Sequence, residues 1–192
     1  MLLDGKENIN SKWKKFSADV TVTYPFGTCT QRADVRQSDD WRDHIEFLNG
    51  KLRQSLDVEL AAGNIANAVE FKFFLPKARL GNNETLDALM LRKLNILSPK
   101  TFSVNVPVNG VEGTYLFQAK ESKEFLEAMG RREGPMFEGD EELLWSFEPF
   151  GNFKLVAISG VRLVNDQWTR LGKSSALMAL NAFQELQVNY LI

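Results

Sequence analysis

The chain has 192 residues, of which 44% are hydrophobic and 25% are charged. These proportions are typical of a globular protein with its own core, so a disordered, collagen-like or low-complexity chain is excluded. The 23 basic and 25 acidic residues give a formal net charge of -2, which removes the electrostatic basis for general nucleic-acid binding.

The only cysteine, Cys29, and the only histidine, His44, exclude an internal disulfide and a Cys/His zinc site. No stretch approaches the ~18 to 20 apolar residues of a membrane span. Charged residues from Asp4 onward interrupt the start before a signal-peptide core can form. The sequence therefore predicts a soluble protein without signal peptide or membrane span, for which the cytoplasm is the default location.

The polar first 17 residues predict an N-terminal arm, followed by a single α+β domain over residues 18–192. Residues 20–24 alternate as in a strand that Pro25 and Gly27 interrupt. The charged run 32–42 leads to a turn at Asn49-Gly50. Residues 56–60 and 69–75 also alternate, which predicts two half-buried strands joined through a turn near Gly63.

Two helices are predicted to pack an apolar stripe inward. The first covers residues 83–97, because Leu86, Met90, Leu94 and Leu97 recur at helical spacing and Ser98-Pro99 stops the helix. The second covers residues 174–186, with Leu177, Leu180 and Phe183 facing the core.

Residues 102–108 and 111–117 alternate around Asn109-Gly110, which predicts a β-hairpin with a type I′ turn. Ser122 is placed to cap a short helix that buries Phe125 and Leu126 before Gly130. The pattern as a whole indicates an α+β fold with a mainly antiparallel sheet and interspersed helices.

Several partial motifs fail or stay ambiguous. Gln167 stands where a P-loop ending in residues 172–174 needs its first glycine, and Pro149 replaces the magnesium-binding aspartate of a kinase Asp-Phe-Gly element. His44 is a general base oriented by a neighbouring aspartate, or a structural histidine. The acidic residues 39–40 and 140–142 are magnesium ligands or solvated loops.

Four short segments occur in an informative order: Leu-Arg-Lys-Leu at 91–94, Val-Asn-Gly at 108–110, Gly-Thr-Tyr-Leu at 113–116 and Lys-Glu-Phe-Leu at 123–126. Their order and spacing over about residues 32–144 resemble the spore-coat CotH kinase family. The resemblance implies part of an atypical kinase fold that binds ATP and Mg²⁺ and phosphorylates a protein substrate.

Carried over residue by residue, the resemblance assigns phosphate contacts to Lys72 and Lys120. The family has a glutamate directly before the second lysine, where this chain has Ala119, so Glu121 is the expected replacement partner. The family's C-terminal metal-binding aspartates have no counterpart before Ile192. The chain is therefore expected to be a fragment that does not catalyse alone, with no catalytic or metal-binding residue assigned.

Two alternatives stay open. The sequence ends on the apolar run 188–192, which fits a fragment. A terminal strand or helix docked into the core would explain the same run. The scaffold as a whole is also compatible with a noncatalytic structural or interaction module that binds a protein partner. Ala119, in place of the family's glutamate, is consistent with such a noncatalytic role.

Overall fold

The structure is a computed structural model that describes residues 14–38, 44–48, 50–139, 161–165 and 174–191. The chain divides into two compact units, Met1–Met129 and Gly130–Ile192. The described strands are β1 (Phe16–Tyr24), β2 (Gly27–Gln37), β3 (Ile45–Leu48), β4 (Lys51–Gln54), β5 (Leu56–Leu60), β6 (Glu70–Phe74), β7 (Thr101–Asn105), β8 (Thr114–Ala119), β9 (Phe137–Gly139) and β10 (Val161–Leu163). The helices are a 3-10 helix (Pro76–Arg79), α1 (Asn83–Lys93), α2 (Lys123–Ala128) and α3 (Ser174–Leu191).

Unit 1 is built on one six-stranded sheet with the order β1-β2-β5-β6-β8-β7. Every neighbouring pair in this sheet is antiparallel. Strands β3 and β4 form a separate hairpin. The predicted α+β class with a mainly antiparallel sheet is confirmed.

The main hydrophobic cluster lies on one face of this sheet. Leu56 and Val58 of β5 are opposite Phe73 and Phe71 of β6, so alternate residues of neighbouring strands collect on the same side. Phe71 is 1% exposed, and its ring stacks on that of Phe117 with the centroids 4.8 Å apart. Removing these rings from water is the main stabilisation of the sheet. The predicted strands over residues 56–60 and 69–75 are confirmed.

The predicted hairpin around Asn109-Gly110 is also confirmed. Phe102 pairs with Phe117, and the ladder ends in an isolated bridge between Val108 and Val111. Asn109 has a φ of 50° and Gly110 a φ of 75°, the left-handed values that a type I′ turn requires at both central positions.

Strand β2 occupies part of the predicted charged connection. Ala33 is buried on the apolar face, whereas Arg32 and Asp34 lie exposed on the other face. The inward-facing Ala33 is small and stands between charged residues, so the sequence shows no clear alternation of apolar and polar residues in β2. Strand β1 likewise begins at Phe16, inside the segment predicted as an arm.

Helix α1 exists, but the prediction that its apolar stripe faces the core is wrong. It ends at Lys93, and Leu86, Met90 and Leu94 are 57%, 54% and 68% exposed. Ala88 is the buried residue of the helix. Residues 88–91 are four consecutive apolar residues, which spread over more than half of the helix circumference and therefore define no single inward stripe.

The short helix α2 buries Phe125 and Leu126, and Gly130 follows it with a φ of 66°, as predicted. Ser122 stands at the N-cap position, but its hydroxyl group donates a 2.7 Å hydrogen bond to the Glu124 carboxylate instead of accepting one from a backbone amide. The predicted side-chain cap of the helix amides by Ser122 is therefore not formed.

In unit 2, β9 and β10 pair antiparallel, and the ring of Phe137 stacks on that of Phe183 from α3 at 5.9 Å. Leu177 and Leu180 are 65% and 38% exposed, so of the predicted inward stripe Phe183 packs and the two leucines do not. The sequence of residues 154–158 also predicts a strand, and this segment lies outside the described residues. Among the helices of the described ranges, none is long and apolar enough to cross a membrane.

Substitutions at Phe71 and Leu94 test which apolar residues form the core. Phe71→Ala should lower the free energy of unfolding by about 3 to 5 kcal/mol, because it opens a cavity in the aromatic cluster. Leu94→Asp should change it by about 0.5 kcal/mol or less, because the side chain is exposed. Urea unfolding followed by circular dichroism measures both, and a larger cost for Leu94→Asp than for Phe71→Ala would refute the assignment.

Candidate functional site

A charged pocket of about 240 Å³ lies on the sheet face opposite the aromatic core. Its charged lining residues come from β2, β5 and β6 and from the chain next to β1 and β8. The lining consists of four cations, four carboxylates and two core residues: Lys15, Arg36, Lys72, Lys120, Asp34, Asp57, Glu59, Glu70, Val58 and Phe71.

The antiparallel register brings these side chains together. Asp57 of β5 pairs with Arg36 of β2 on one side and with Lys72 of β6 on the other. Lys120 directly follows β8, and its backbone amide donates a 3.0 Å hydrogen bond to the carbonyl oxygen of Glu70. The strand pairing therefore determines which charges meet.

Asp57 is the central carboxylate. Its Oδ2 lies 2.8 Å from Arg36 Nη2, and its Oδ1 lies 3.9 Å from Lys72 Nζ. Among the residues that the structure describes, Oδ1 is a buried oxygen without a hydrogen-bond partner. One carboxylate oxygen is thus engaged by the guanidinium group, whereas the other retains acceptor capacity beside Lys72.

Glu59 and Glu70 are directly opposite each other on neighbouring strands, an arrangement that destabilises a sheet when it is uncompensated. Each has a lysine partner: Lys15 Nζ lies 2.5 Å from Glu59 Oε2, and the Lys120 ammonium pairs with the Glu70 carboxylate. The hydrogen bond between Lys15 and Glu59 raises the pKa of Lys15 and lowers the pKa of Glu59.

The structure brings together the two lysines that sequence analysis selected. Lys72 and Lys120 line the same pocket, each beside a carboxylate. Glu121 is half-buried and is not among the lining residues; the carboxylate next to Lys120 is Glu70. Ala119 is 7% exposed and belongs to the hydrophobic core on the opposite face.

Of the other candidates, the two that the structure describes, His44 and Cys29, do not line this pocket. His44 is 6% exposed, and its ring centroid lies 5.7 Å from that of Phe74. Cys29 is an exposed free thiol. The acidic residues 39–40 and 140–142, and the partial motifs at 149–151 and 172–173, lie outside the described residues. Within the described ranges, no three His, Cys, Asp or Glu side chains form a metal-binding group.

Sequence analysis missed the other six charged residues of the lining, which are Lys15, Arg36, Asp34, Asp57, Glu59 and Glu70. The available signal was the alternation itself, since Asp57 and Glu59 in β5 and Glu70 and Lys72 in β6 each stand two residues apart. Two-residue spacing places each pair on one face of its strand. Only the pairing register of β5 with β6 shows that both pairs lie on the same face of the sheet.

Comparison of the chain with protein-family models and with curated proteins finds no match.

The ion pair of Lys15 and Glu59 predicts a small, pH-dependent stabilisation. Glu59→Gln should lower the free energy of unfolding by up to about 1 kcal/mol at neutral pH, because both side chains are partly exposed. The folded-state pKa of Glu59 is lowered, so its contribution is complete above the unfolded pKa and is lost as the pH falls through the folded pKa.

The difference between Glu59→Gln and the parent should therefore shrink as the pH is lowered below the ordinary pKa of a glutamate. Urea unfolding at a series of pH values measures it. A difference that grows in acid would contradict the assigned pair.

The position of Ala119 in the core predicts that a glutamate at this position is harmful. Ala119→Glu would bury an unpaired carboxylate in the apolar core, which costs about 2 kcal/mol or more of unfolding free energy. Ala61→Glu is the matched control, because Ala61 is exposed directly after β5. Comparable melting temperatures for Ala119→Glu and the control would show that residue 119 does not face the core.

Proposed function

We propose that unit 1 binds the phosphate groups of a nucleotide together with Mg²⁺ in the charged pocket, as its resemblance to CotH-like kinases implies. The observation that carries this proposal is that Lys72 and Lys120, far apart in sequence, line one pocket and each lie beside a carboxylate. A lysine that a carboxylate positions is a recurrent element of phosphate binding in phosphoryl-transfer proteins.

The size of the pocket limits the proposal to the phosphate groups. At about 240 Å³ it is smaller than the roughly 300 to 1,000 Å³ of sites that enclose a whole drug-sized ligand. The base and the sugar would therefore lie outside the charged lining.

The charge balance favours a magnesium complex over a free anion. The four cations of the lining are matched by four carboxylates, so an isolated phosphate meets no net positive charge. Mg²⁺ is commonly held by one or two carboxylates and by the substrate's phosphates. A carboxylate of the lining would contact the cation while the lysines face phosphate oxygens.

The proposal concerns binding and does not extend to catalysis. Transfer to a protein hydroxyl group needs a carboxylate that accepts the hydroxyl proton. Asp57, Glu59 and Glu70 each pair with a cation of the pocket, and the proposal assigns no residue as that base.

A second candidate function, a protein-interaction module, is favoured by the surface of α1. Leu86, Leu89, Met90 and Leu94 of this region are each more than half exposed. A contiguous exposed apolar patch is typical of an interaction surface. This function requires no nucleotide, so nucleotide binding discriminates between the two.

Thermal unfolding followed by circular dichroism tests the proposal. Millimolar ATP with Mg²⁺ should raise the melting temperature, since a ligand at ~100 times its dissociation constant adds ~2.7 kcal/mol to stability. ATP with a chelator should produce a much smaller shift. Lys72→Ala and Lys120→Ala should reduce the shift while leaving the protein folded.

Lys51→Ala is the control, because Lys51 is an exposed strand lysine outside the pocket lining. Inorganic triphosphate with Mg²⁺ should reproduce most of the shift if the phosphates are the recognised groups. No shift with ATP and Mg²⁺, or the same shift in Lys72→Ala as in Lys51→Ala, would reject nucleotide binding and favour the interaction module.

A further inference from the structure

Strand β1 forms one edge of the six-stranded sheet in unit 1. Among the strands that the structure describes, β1 pairs with β2 alone. It is nine residues long, and its pairing with β2 runs without a bulge from Phe16 to Tyr24. A long, regular edge strand presents a row of backbone donors and acceptors that a further strand can engage.

The register shows which backbone groups of β1 point away from β2. The amide of Ala61 donates a 2.9 Å hydrogen bond to the carbonyl oxygen of Arg32, so the backbone groups of Arg32 point toward β5. Successive residues of a strand direct these groups to opposite sides, so Ala33 and every second residue from it face β1. Their partners in β1 are the even-numbered residues. The N–H and C=O groups of the other four residues therefore point to the open side: Ser17, Asp19, Thr21 and Thr23.

Strand β1 lacks the features that usually protect an edge. Natural edge strands are kept from pairing by lysines, prolines, bulges or a covering helix. Strand β1 contains no lysine and no proline, and the carboxylate of Asp19, its one charged residue, lies 3.2 Å from Nη1 of Arg32 on β2. At the opposite edge of the sheet, β7 has five residues and contacts helix α1. The β1 edge is therefore the one suited to strand pairing.

The length and spacing of β1 fit a second copy of the same strand. Val20 is the midpoint of Phe16–Tyr24, so an antiparallel pair centred on Val20 overlaps over all nine residues. In this register Asp19 is opposite Thr21 of the second copy, and Ser17 is opposite Thr23. These are the residues whose backbone groups point to the open side, and each of the four pairs would form two hydrogen bonds.

The side chains also match in this register. On the polar face, Asp19 is opposite the uncharged Thr21, whereas a pair centred on Asp19 would place two aspartates opposite each other and is disfavoured. The other face is apolar in both strands, and each of its five residues is half-buried in one copy: Phe16, Ala18, Val20, Val22 and Tyr24. Pairing would remove more of this apolar surface from water.

We propose that the chain forms a symmetric dimer in which β1 pairs antiparallel with β1 of a second copy about a two-fold axis at Val20. The pairing joins the two six-stranded sheets into one continuous sheet. The same patch is used by both copies, so the assembly closes at two chains. No residue of β1 lines the charged pocket, so the dimer does not depend on nucleotide binding.

Sedimentation equilibrium of the full chain tests the dimer. At about 100 μM we expect twice the 21.8 kDa mass of one chain, with dissociation on dilution. Lys72→Ala, which tests the nucleotide proposal, should give the same mass. A chain that stays monomeric at this concentration, or that assembles beyond two copies, would overturn the proposal.

Disulfide trapping tests the position of the two-fold axis. In a Cys29→Ser background, Val20→Cys places the two cysteines directly opposite each other, with Cα atoms about 4.5 Å apart, within the range that a disulfide spans. Val22→Cys is the matched control on the same face of β1. Its two cysteines would be four residue positions apart, about 14 Å along the strands, which is too far for a disulfide.

Under mild oxidation, Val20→Cys should give a covalent dimer on a non-reducing gel and Val22→Cys should not. Equal crosslinking of the two variants, or none in Val20→Cys, would contradict the proposed axis.

Two substitutions of Thr21 test the register through charge. Thr21→Asp places a second carboxylate opposite Asp19 in two symmetric pairs and should weaken dimerisation about fivefold or more. Thr21→Lys places an ammonium group there and should dimerise at least as tightly as the parent chain. Both variants lose the 2.9 Å hydrogen bond between the hydroxyl groups of Thr21 and Thr30, so the difference between them reports on the second copy.

Circular dichroism establishes that both Thr21 variants are folded, and sedimentation gives their dissociation constants. The difference should shrink at high salt, because these side chains are exposed. Equal dissociation constants at low salt would refute the pairing of Asp19 with Thr21.

Discussion

The two-residue period of the antiparallel sheet is the constraint on which the rest of unit 1 depends. Val58 and Phe71 face each other on one side, and Asp57 and Lys72 do so on the other. A register shift of one residue in either strand would bring charged residues onto the apolar face. Burial of the aromatic core therefore fixes the register, and the same register assembles the charged pocket.

This arrangement gives the pocket lysines a structural task as well as a proposed binding task. Glu59 and Glu70 oppose each other across two neighbouring strands, and Lys15 and Lys120 compensate their charges. An anionic ligand that engaged Lys120 would weaken its pairing with Glu70. A cation that arrives with the anion removes this conflict, because it supplies the carboxylate with a new positive partner.

The elements that were predictable from the sequence are those with local causes. The Asn109-Gly110 turn prescribes left-handed backbone at two positions, and the strands on either side alternate cleanly. Strand β2 was less visible, since its inward residues include the small Ala33 among charged neighbours. The inward face of α1 was not predictable, because consecutive apolar residues allow several faces and tertiary packing selects the one with Ala88.

The pocket required information that no single strand carries. Sequence analysis selected Lys72 and Lys120, but their carboxylate neighbours Asp57 and Glu70 lie on β5 and at the start of β6. Which strands are adjacent, and in which register, depends on pairing between segments that are distant in sequence. Lys72 and Lys120 could be proposed from the sequence, whereas their grouping with the other charged residues of the pocket could not.

The same geometry explains how Lys120 has a carboxylate partner although the residue before it in sequence is Ala119. Ala119 faces the apolar core, so a carboxylate at that position in this fold would point away from the charged pocket. Glu70, next to Lys120 through a backbone hydrogen bond, pairs with the lysine from the neighbouring strand. A lysine–carboxylate pair made across two strands needs no glutamate beside the lysine in sequence, so the alanine at 119 does not by itself argue against phosphate binding.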